Sequence, residues 1–252
     1  KRLLLAAVPT SALLTLPSIA SAASASLDPK DSVGISFWII SIAMVAATVF
    51  FFMEAGKMTP KWRTSVVVSG LVTLVAAVHY FYMRDVWVAT GTSPTVFRYV
   101  DWLITVPLLM VEFYFILAAV GLATMKVFWN LLIGTLVMLL GGYCGEVGII
   151  NPSAGFIIGM AGWFYILYYI FAGDAGKAMA NASEAVQTAF KTMRMIVLIG
   201  WAIYPLGYLL GYMMGSIDAN ALNLIYNLAD FVNKIAFGLM VWAAASSESE
   251  KA

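Results

Sequence analysis

The sequence predicts an all-α membrane protein: a seven-transmembrane-helix bundle with its N-terminus outside and its C-terminus cytoplasmic. Three observations carry this expectation. Of 252 residues, 62% are hydrophobic and 11% charged, against about 25% charged in an ordinary soluble domain. Mean hydropathy is +0.91. The apolar residues also fall in long unbroken runs near the roughly 20 residues that cross about 30 Å of hydrocarbon. Such a composition excludes a soluble enzyme, a disordered chain and a nucleic-acid binder, and makes the lipid bilayer the first partner. The net charge of +1, from 14 Lys+Arg and 13 Asp+Glu, leaves no dominant basic or acidic surface. One cysteine, Cys144, and one histidine fit no disulfide and no transition-metal spacing, so no metal is expected.

The first residues read as a secretory signal, with residues 1–22 as the peptide and 23–252 as the seven-helix domain. Lys1 and Arg2 are a basic n-region, Leu3 to Leu16 an apolar h-region, and Ala20-Ser21-Ala22 a small-residue cleavage site. Pro9 and Pro17 interrupt a stretch already short for a membrane span. Cleavage after Ala22 or Ala25 leaves a mature chain starting near Asp28, with that end outside. Seven further apolar segments follow, at about Val33–Phe52, Ser65–Met83, Phe97–Val120, Val127–Ile150, Ala154–Phe171, Thr192–Met213 and Leu222–Ala244. The connections Glu54 to Arg63, Asp85 to Pro94, and Gly173 to Gln187 are short and carry Gly, Pro, Ser and charged residues. Strands are excluded, because segments this long lack period-2 alternation. With the N-terminus outside, Lys57, Lys61, Arg63, Lys126, Lys177, Lys191, Arg194 and Lys251 lie inside, and only Lys30 and Arg84 outside. The positive-inside rule therefore gives the same orientation as the signal peptide.

Ionisable residues within the spans need a reason, since each costs about 2.5–3.5 kcal/mol at a helix centre on insertion scales. Arg98, Asp101 and Glu112 lie on the third segment, Asp230 and Lys234 on the seventh, and His79 on the second. Asp230 and Lys234 are one turn apart on one helix face. Two readings stand for this pair: a self-compensating pair that fixes helix packing, or a buried amine able to condense with an aldehyde. On the third segment Arg98, Asp101, Thr105, Leu108 and Glu112 recur at steps of three or four, which makes one stripe. Asp101 and Glu112 are about 16 Å apart along the axis at 1.5 Å per residue, too far to share a proton. They resemble stations on opposite sides of something between them. Glu112, flanked by Met110, Val111, Phe113 and Tyr114, is most cheaply held as the neutral acid, a form suited to donating a proton. The third and seventh segments run in the same direction, so a cation at Lys234 has its carboxylate neighbours outward and its reserve proton inward. Loss to Asp101 and resupply from Glu112 would then move protons outward. For His79 the alternatives are a satisfied interhelical hydrogen bond or an imidazole that modulates Asp101. Trp102, Trp163, Trp201, Tyr204, Pro205 and Tyr208, clustered at the depth of Lys234, would wall a flat, elongated apolar ligand.

These residues match a known family. Tyr99-Val100-Asp101-Trp102-Leu103-Ile104-Thr105-Val106-Pro107-Leu108-Leu109 resembles the third helix of the microbial rhodopsins. Trp201-Ala202-Ile203-Tyr204-Pro205 and Ala229-Asp230-Phe231-Val232-Asn233-Lys234 resemble their sixth and seventh. From Phe37-Trp38 onward the chain is similar to the proteorhodopsin group of that family. The resemblance implies all-trans-retinal linked covalently to Lys234 as a protonated Schiff base. It implies Asp101 as primary counterion and proton acceptor, Asp230 as second counterion, Arg98 in support and Glu112 as cytoplasmic donor. It places His79 at the histidine that hydrogen-bonds the acceptor. Asp101, Thr105 and Glu112 form the proton-pump triplet, where a sodium pump would show Asn, Asp and Gln. Trp102, Leu109, Met138, Trp163, Trp201, Tyr204, Pro205 and Tyr208 align with the retinal pocket, and Leu at 109 goes with green absorption. The family implies a pentamer or hexamer, with Trp38 at a protomer interface, and a multi-pass protein of the bacterial inner membrane. Glu146 and Cys144 stay outside this scheme, and surface or interface roles are expected for them.

The expected function is therefore light-driven outward proton pumping, which is ion transport and not enzymatic turnover. A photosensor is the first rival; it can lack an acidic donor at the Glu112 position and signals through a partner. A seven-helix ligand receptor or a transporter not driven by light is the second, and leaves the surroundings of Lys234 unexplained.

Overall fold

The computed structural model describes residues 27–251, so the expected signal peptide at 1–22 lies outside the described residues. Local chemistry sets the helix ends. The first helix, Ser32–Ala55, starts where the Asp31 carboxylate accepts the Gly34 N–H at 2.8 Å. That carboxylate also accepts Trp87 Nε1 at 3.1 Å, which ties the start of this helix to the end of the next. The second helix, Pro60–Thr90, has proline in its first turn, where a missing N–H costs nothing. It ends at Gly91, whose φ of 63° is the left-handed cap that glycine adopts freely. The third helix is Thr95–Ala119 and the fourth Met125–Glu146. Asn151 caps the fifth, Pro152–Phe171, by accepting from Ser153 N at 2.9 Å. The sixth spans Glu184–Met213, and the seventh, Ala219–Ser249, is capped by Asp218 on Ala221 N at 2.8 Å. Seven helices long and apolar enough to cross a membrane are thus present, with no strand among the described residues.

The helices outrun the apolar segments. The second continues about two turns beyond Met83, and the seventh continues past Ala244 to Ser249. Hydropathy marks only the part that needs lipid, whereas backbone hydrogen bonding carries a helix on until a cap or a glycine stops it. The segment from Gly173 to Gln187, expected as a connection, holds a short helix Asp174–Met179 and the first turn of the sixth helix, capped by Ser183. Conversely, the fourth helix stops at Glu146, short of the expected Ile150.

Packing positions the interior. The first helix lies against the second and seventh, the second against the third, and the fourth against the fifth. The fourth and fifth approach closely through glycines: a Cβ on Gly162 would sit 2.6 Å from Met138 N, and one on Gly155 2.6 Å from the Gly145 Cα. Small residues at such contacts let backbones meet where lipid offers no hydrophobic drive to associate. The sixth helix is irregular, with π-helical stretches at Ile196–Gly200 and Tyr208–Met213 on either side of Pro205. Trp163 Nε1 donates to the Val197 carbonyl at 3.1 Å within the first stretch. Large apolar side chains such as Ile39, Ile157 and Leu228 face outward, as a lipid-facing surface requires.

Candidate functional site

Lys234 sits between two carboxylates. Its Nζ donates to Asp101 Oδ2 at 2.7 Å and to Asp230 Oδ2 at 2.9 Å, and all three side chains are at most 2% exposed. The seventh helix brings Asp230 by the one-turn spacing; only packing of the third helix against the seventh brings Asp101. The two carboxylates differ sharply in company. Asp230 also accepts from Tyr80 Oη at 2.8 Å, Tyr204 Oη at 2.6 Å and Trp102 Nε1 at 3.3 Å. Asp101 accepts from Lys234 alone among the described residues, and its Oδ1 has no partner. A carboxylate held by several donors is a poor place to add a proton, because a donor must be displaced. Asp101 offers a free oxygen.

A cavity, partly open to the exterior, runs from Lys234 between the third, fourth, fifth and sixth helices. Trp102, Leu109, Met138, Trp163, Trp201, Tyr204, Pro205 and Tyr208 all line it, with Lys234 at one wall. Its lining is mostly apolar, as in pockets that hold small apolar molecules. Trp102 packs edge-on against Tyr204 and Tyr226, at centroid distances of 5.1 and 5.8 Å, so the wall is rigid. Gly142, Gly155 and Gly159 supply the room on the fourth- and fifth-helix side. A long apolar aldehyde therefore fits the chemistry: a buried amine at one wall, aromatic faces around it and few polar groups.

Three side chains expected to act near this centre make their hydrogen bonds away from both carboxylates. Arg98 is buried but touches neither carboxylate; its Nη2 donates to Asn223 and Asn227 at 2.9 and 3.0 Å, between the rings of Phe37 and Tyr226. His79 is half-buried, with Nδ1 2.9 Å from the Val75 carbonyl, and no hydrogen bond joins it to Asp101. The expected bond fails because its imidazole turns back along its own helix. Thr105 likewise donates to the Asp101 backbone carbonyl at 2.9 Å and not to the carboxylate, the usual sink for a threonine hydroxyl in a helix.

Toward the other end of the third helix, Glu112 is 0% exposed among apolar side chains. One oxygen accepts from Ser69 Oγ at 2.9 Å; the other, Oε2, has no partner. Among the described residues no hydrogen bond joins Glu112 to Asp101 or to Lys234.

Several contributors carried no sequence signal. Tyr80, Tyr226 and Asn233 are ordinary residues for membrane helices, and only packing reveals that they touch Asp230 or the cavity. Ser69 was equally silent. Glu146 corrects an expectation. A surface or interface role is expected from the sequence, yet Glu146 lines the cavity and accepts from Tyr99 Oη at 2.7 Å. The fourth helix ends at this residue, and its last turn faces the third helix, so the side chain turns inward. An unpaired carboxyl at the end of an apolar run could have been read as a cavity residue from the cost of exposing it to lipid.

Residues 31–248 match the family model described as bacteriorhodopsin-like protein. Among curated proteins, the chain is 54% identical over 241 residues to the blue-light absorbing proteorhodopsin of Gamma-proteobacterium Hot 75m4, covering 95% of this chain and 96% of that protein. The same identity and coverage relate it to the green-light absorbing proteorhodopsin of Gamma-proteobacterium EBAC31A08. Its structure is similar to that of xanthorhodopsin, a light-driven ion pump with dual chromophore, at 29% identity and a TM-score of 0.77 over 87% of this chain and 94% of that one. Seven membrane-length helices around a buried lysine–carboxylate centre, together with these matches, lead to one conclusion: this chain belongs to the bacteriorhodopsin-like family.

Proposed function

We propose that the protein is a light-driven outward proton pump that holds all-trans-retinal on Lys234. The observation carrying this reading is Lys234 Nζ, placed at the wall of an aromatic cavity and between one saturated and one open carboxylate. Bound to the Lys234 amine, retinal would supply light absorption and a light-driven change of shape. The chain's own residues do the rest. Asp230, held by Tyr80, Tyr204 and Trp102, stays an anion and keeps the charge at Nζ compensated. Asp101, with Oδ1 free, takes the proton from Nζ. Glu112, dry and on the opposite side, returns one to Nζ. Arg98 acts on the carboxylates through the field of its charge, Thr105 through the Asp101 backbone carbonyl, and His79 as an imidazole that modulates Asp101. Trp102, Leu109, Met138, Trp163, Trp201, Tyr204, Pro205 and Tyr208 orient the polyene and exclude water.

The outward sense follows from an N-terminus outside and a cytoplasmic C-terminus, supported by the lysine and arginine asymmetry. Removal of residues 1–22, residence in a bacterial inner membrane and assembly into a pentamer or hexamer belong to the same reading. An unbuffered suspension of cells expressing the protein with retinal tests it under green light. Acidification of the medium, abolished by an uncoupler, is expected. A coloured pigment with no pH change would overturn pumping in favour of a sensor.

Glu112→Gln keeps the shape and the bond to Ser69 but carries no transferable proton. Return of the proton to Lys234 Nζ, followed as recovery of visible absorption after a flash, should slow by roughly 10²-fold or more, the scale of a lost general acid. The loss of a proton from Nζ to Asp101 should be unaffected.

A further inference from the structure

The buried and half-buried arginines of the bundle differ in what receives their N–H groups. Arg98 donates to Asn223 and Asn227 at 2.9 and 3.0 Å, and Arg84 stands 3.7 Å from the Asp85 carboxylate. Arg194 has neither kind of partner. Its guanidinium lies over the Phe171 ring, 4.7 Å from the centroid, and its Nε is buried without an acceptor. Among the described residues it makes no hydrogen bond and no ion pair. The carboxylate nearest in sequence to Phe171, that of Asp174, is taken by Lys126 at 2.8 Å. A guanidinium keeps its charge at any pH a cell meets, so deprotonation offers no relief.

The height of Arg194 in the bundle says what lies beside it. Trp201 lines the cavity at Lys234, near the middle of the sixth helix. Arg194 is seven residues from it toward Glu184, about 10 Å along the axis, whereas half the hydrocarbon layer is about 15 Å. The side chain is therefore rooted in the apolar layer. It reaches Phe171, which is the last residue of the fifth helix and is 37% exposed. Long basic side chains rooted in hydrocarbon carry their charge to headgroup level in this way. Lys191, exposed and one turn from Arg194 on the same helix, adds a second cation, bonded only to the neutral amide of Gln187 at 3.3 Å.

We infer that Arg194, backed by Phe171 and with Lys191 one turn outward, binds the phosphate of an anionic phospholipid at the seam of the fifth and sixth helices. The planar fork of a guanidinium matches two oxygens of one phosphate, and the aromatic ring behind it fixes the plane while leaving the edge free. Basic sites between membrane helices take anionic headgroups for this reason. A free phosphate ion offers the same oxygens. Only a lipid also has chains to lie along the outward-facing Met195 and Ile199, which continue from Arg194 deeper into the layer. This binding involves neither retinal nor the transported proton.

The full chain, purified in an uncharged detergent, is titrated with phosphatidylglycerol, with phosphatidylcholine of the same acyl chains, and with inorganic phosphate. Bound lipid is counted by native mass spectrometry, and helical circular dichroism reports folding. The parent should bind phosphatidylglycerol roughly tenfold more tightly than phosphatidylcholine, and Arg194→Ala should lose that preference, the scale of losing charge-assisted hydrogen bonds. Arg194→Lys keeps the charge without the fork and should retain part of the preference. Phe171→Leu should weaken phosphatidylglycerol binding about threefold. These two variants carry the test if the alanine variant does not fold. Lys61→Ala removes an exposed cation at the same end of the bundle and should change nothing. A preference in Arg194→Ala within about twofold of the parent would overturn the site. An equal loss in Lys61→Ala would also overturn it, as a response to total charge. Displacement of the lipid by inorganic phosphate at equal concentration would overturn the lipid as the ligand in favour of a phosphate ion.

Discussion

Replacing Lys234 with arginine is expected to abolish the visible pigment and leave folded protein behind. Arginine keeps a cation between Asp101 and Asp230, so the buried charges stay compensated. A guanidinium, however, does not condense with an aldehyde as a primary amine does. Lys234→Ala separates the two contributions. It removes the amine and the cation together, leaving two buried carboxylates without their partner. Breaking such a buried pair costs about 3–5 kcal/mol, a large share of the stability of most domains. The alanine variant should therefore be both colourless and visibly less stable, with a lower unfolding temperature than the arginine variant. Absorption spectra after adding retinal to membranes check the first expectation, and thermal unfolding of the purified variants checks the second. A visible band in Lys234→Arg would refute the covalent assignment.

Asp101→Asn should eliminate light-driven acidification without eliminating the pigment. The amide oxygen can still accept from Lys234 Nζ in place of Oδ2, now 2.7 Å away. What it lacks is the capacity to hold the transferred proton. Asp230 is not a ready substitute. Its oxygens already accept from Tyr80, Tyr204, Trp102 and Lys234, and a proton there would displace one of those donors. Illuminated cells carrying this variant should change external pH no more than cells grown without retinal, while the washed membranes remain coloured. Pumping at the parent rate would transfer the acceptor role away from Asp101. The same geometry orders the tyrosine variants: Tyr80→Phe and Tyr204→Phe each remove one donor from Asp230, leaving it more available than in the parent yet still more fully bonded than Asp101.

The class of protein and the charged residues of the lysine centre are legible in the sequence. Apolar runs of membrane length leave no other fold, because an unpaired backbone in hydrocarbon costs too much for anything but helices or a closed barrel. Charged residues inside those runs identified Asp101, Glu112, Asp230 and Lys234, since each must be justified by something other than solvation. Helical spacing even paired Asp230 with Lys234. Helix ends were less legible, as for Gly173 to Gln187, because hydropathy is silent about capping.

Tertiary structure decided the partners. That Lys234 reaches Asp101 across two helices, that Asp230 is saturated and Asp101 open, and that Ser69 meets Glu112 are facts about which helix faces meet and at what height. Neutral hydroxyls and phenols such as Ser69, Tyr80 and Tyr226 are too common in membrane helices for spacing to single them out. The same limit misplaced Glu146, and the bond from His79 to Asp101 that the family resemblance implied gives way to one with the Val75 carbonyl. Periodicity fixes the direction a side chain leaves its own helix; only packing fixes what waits there, because the rotation and depth of each helix are set by its contacts with the others.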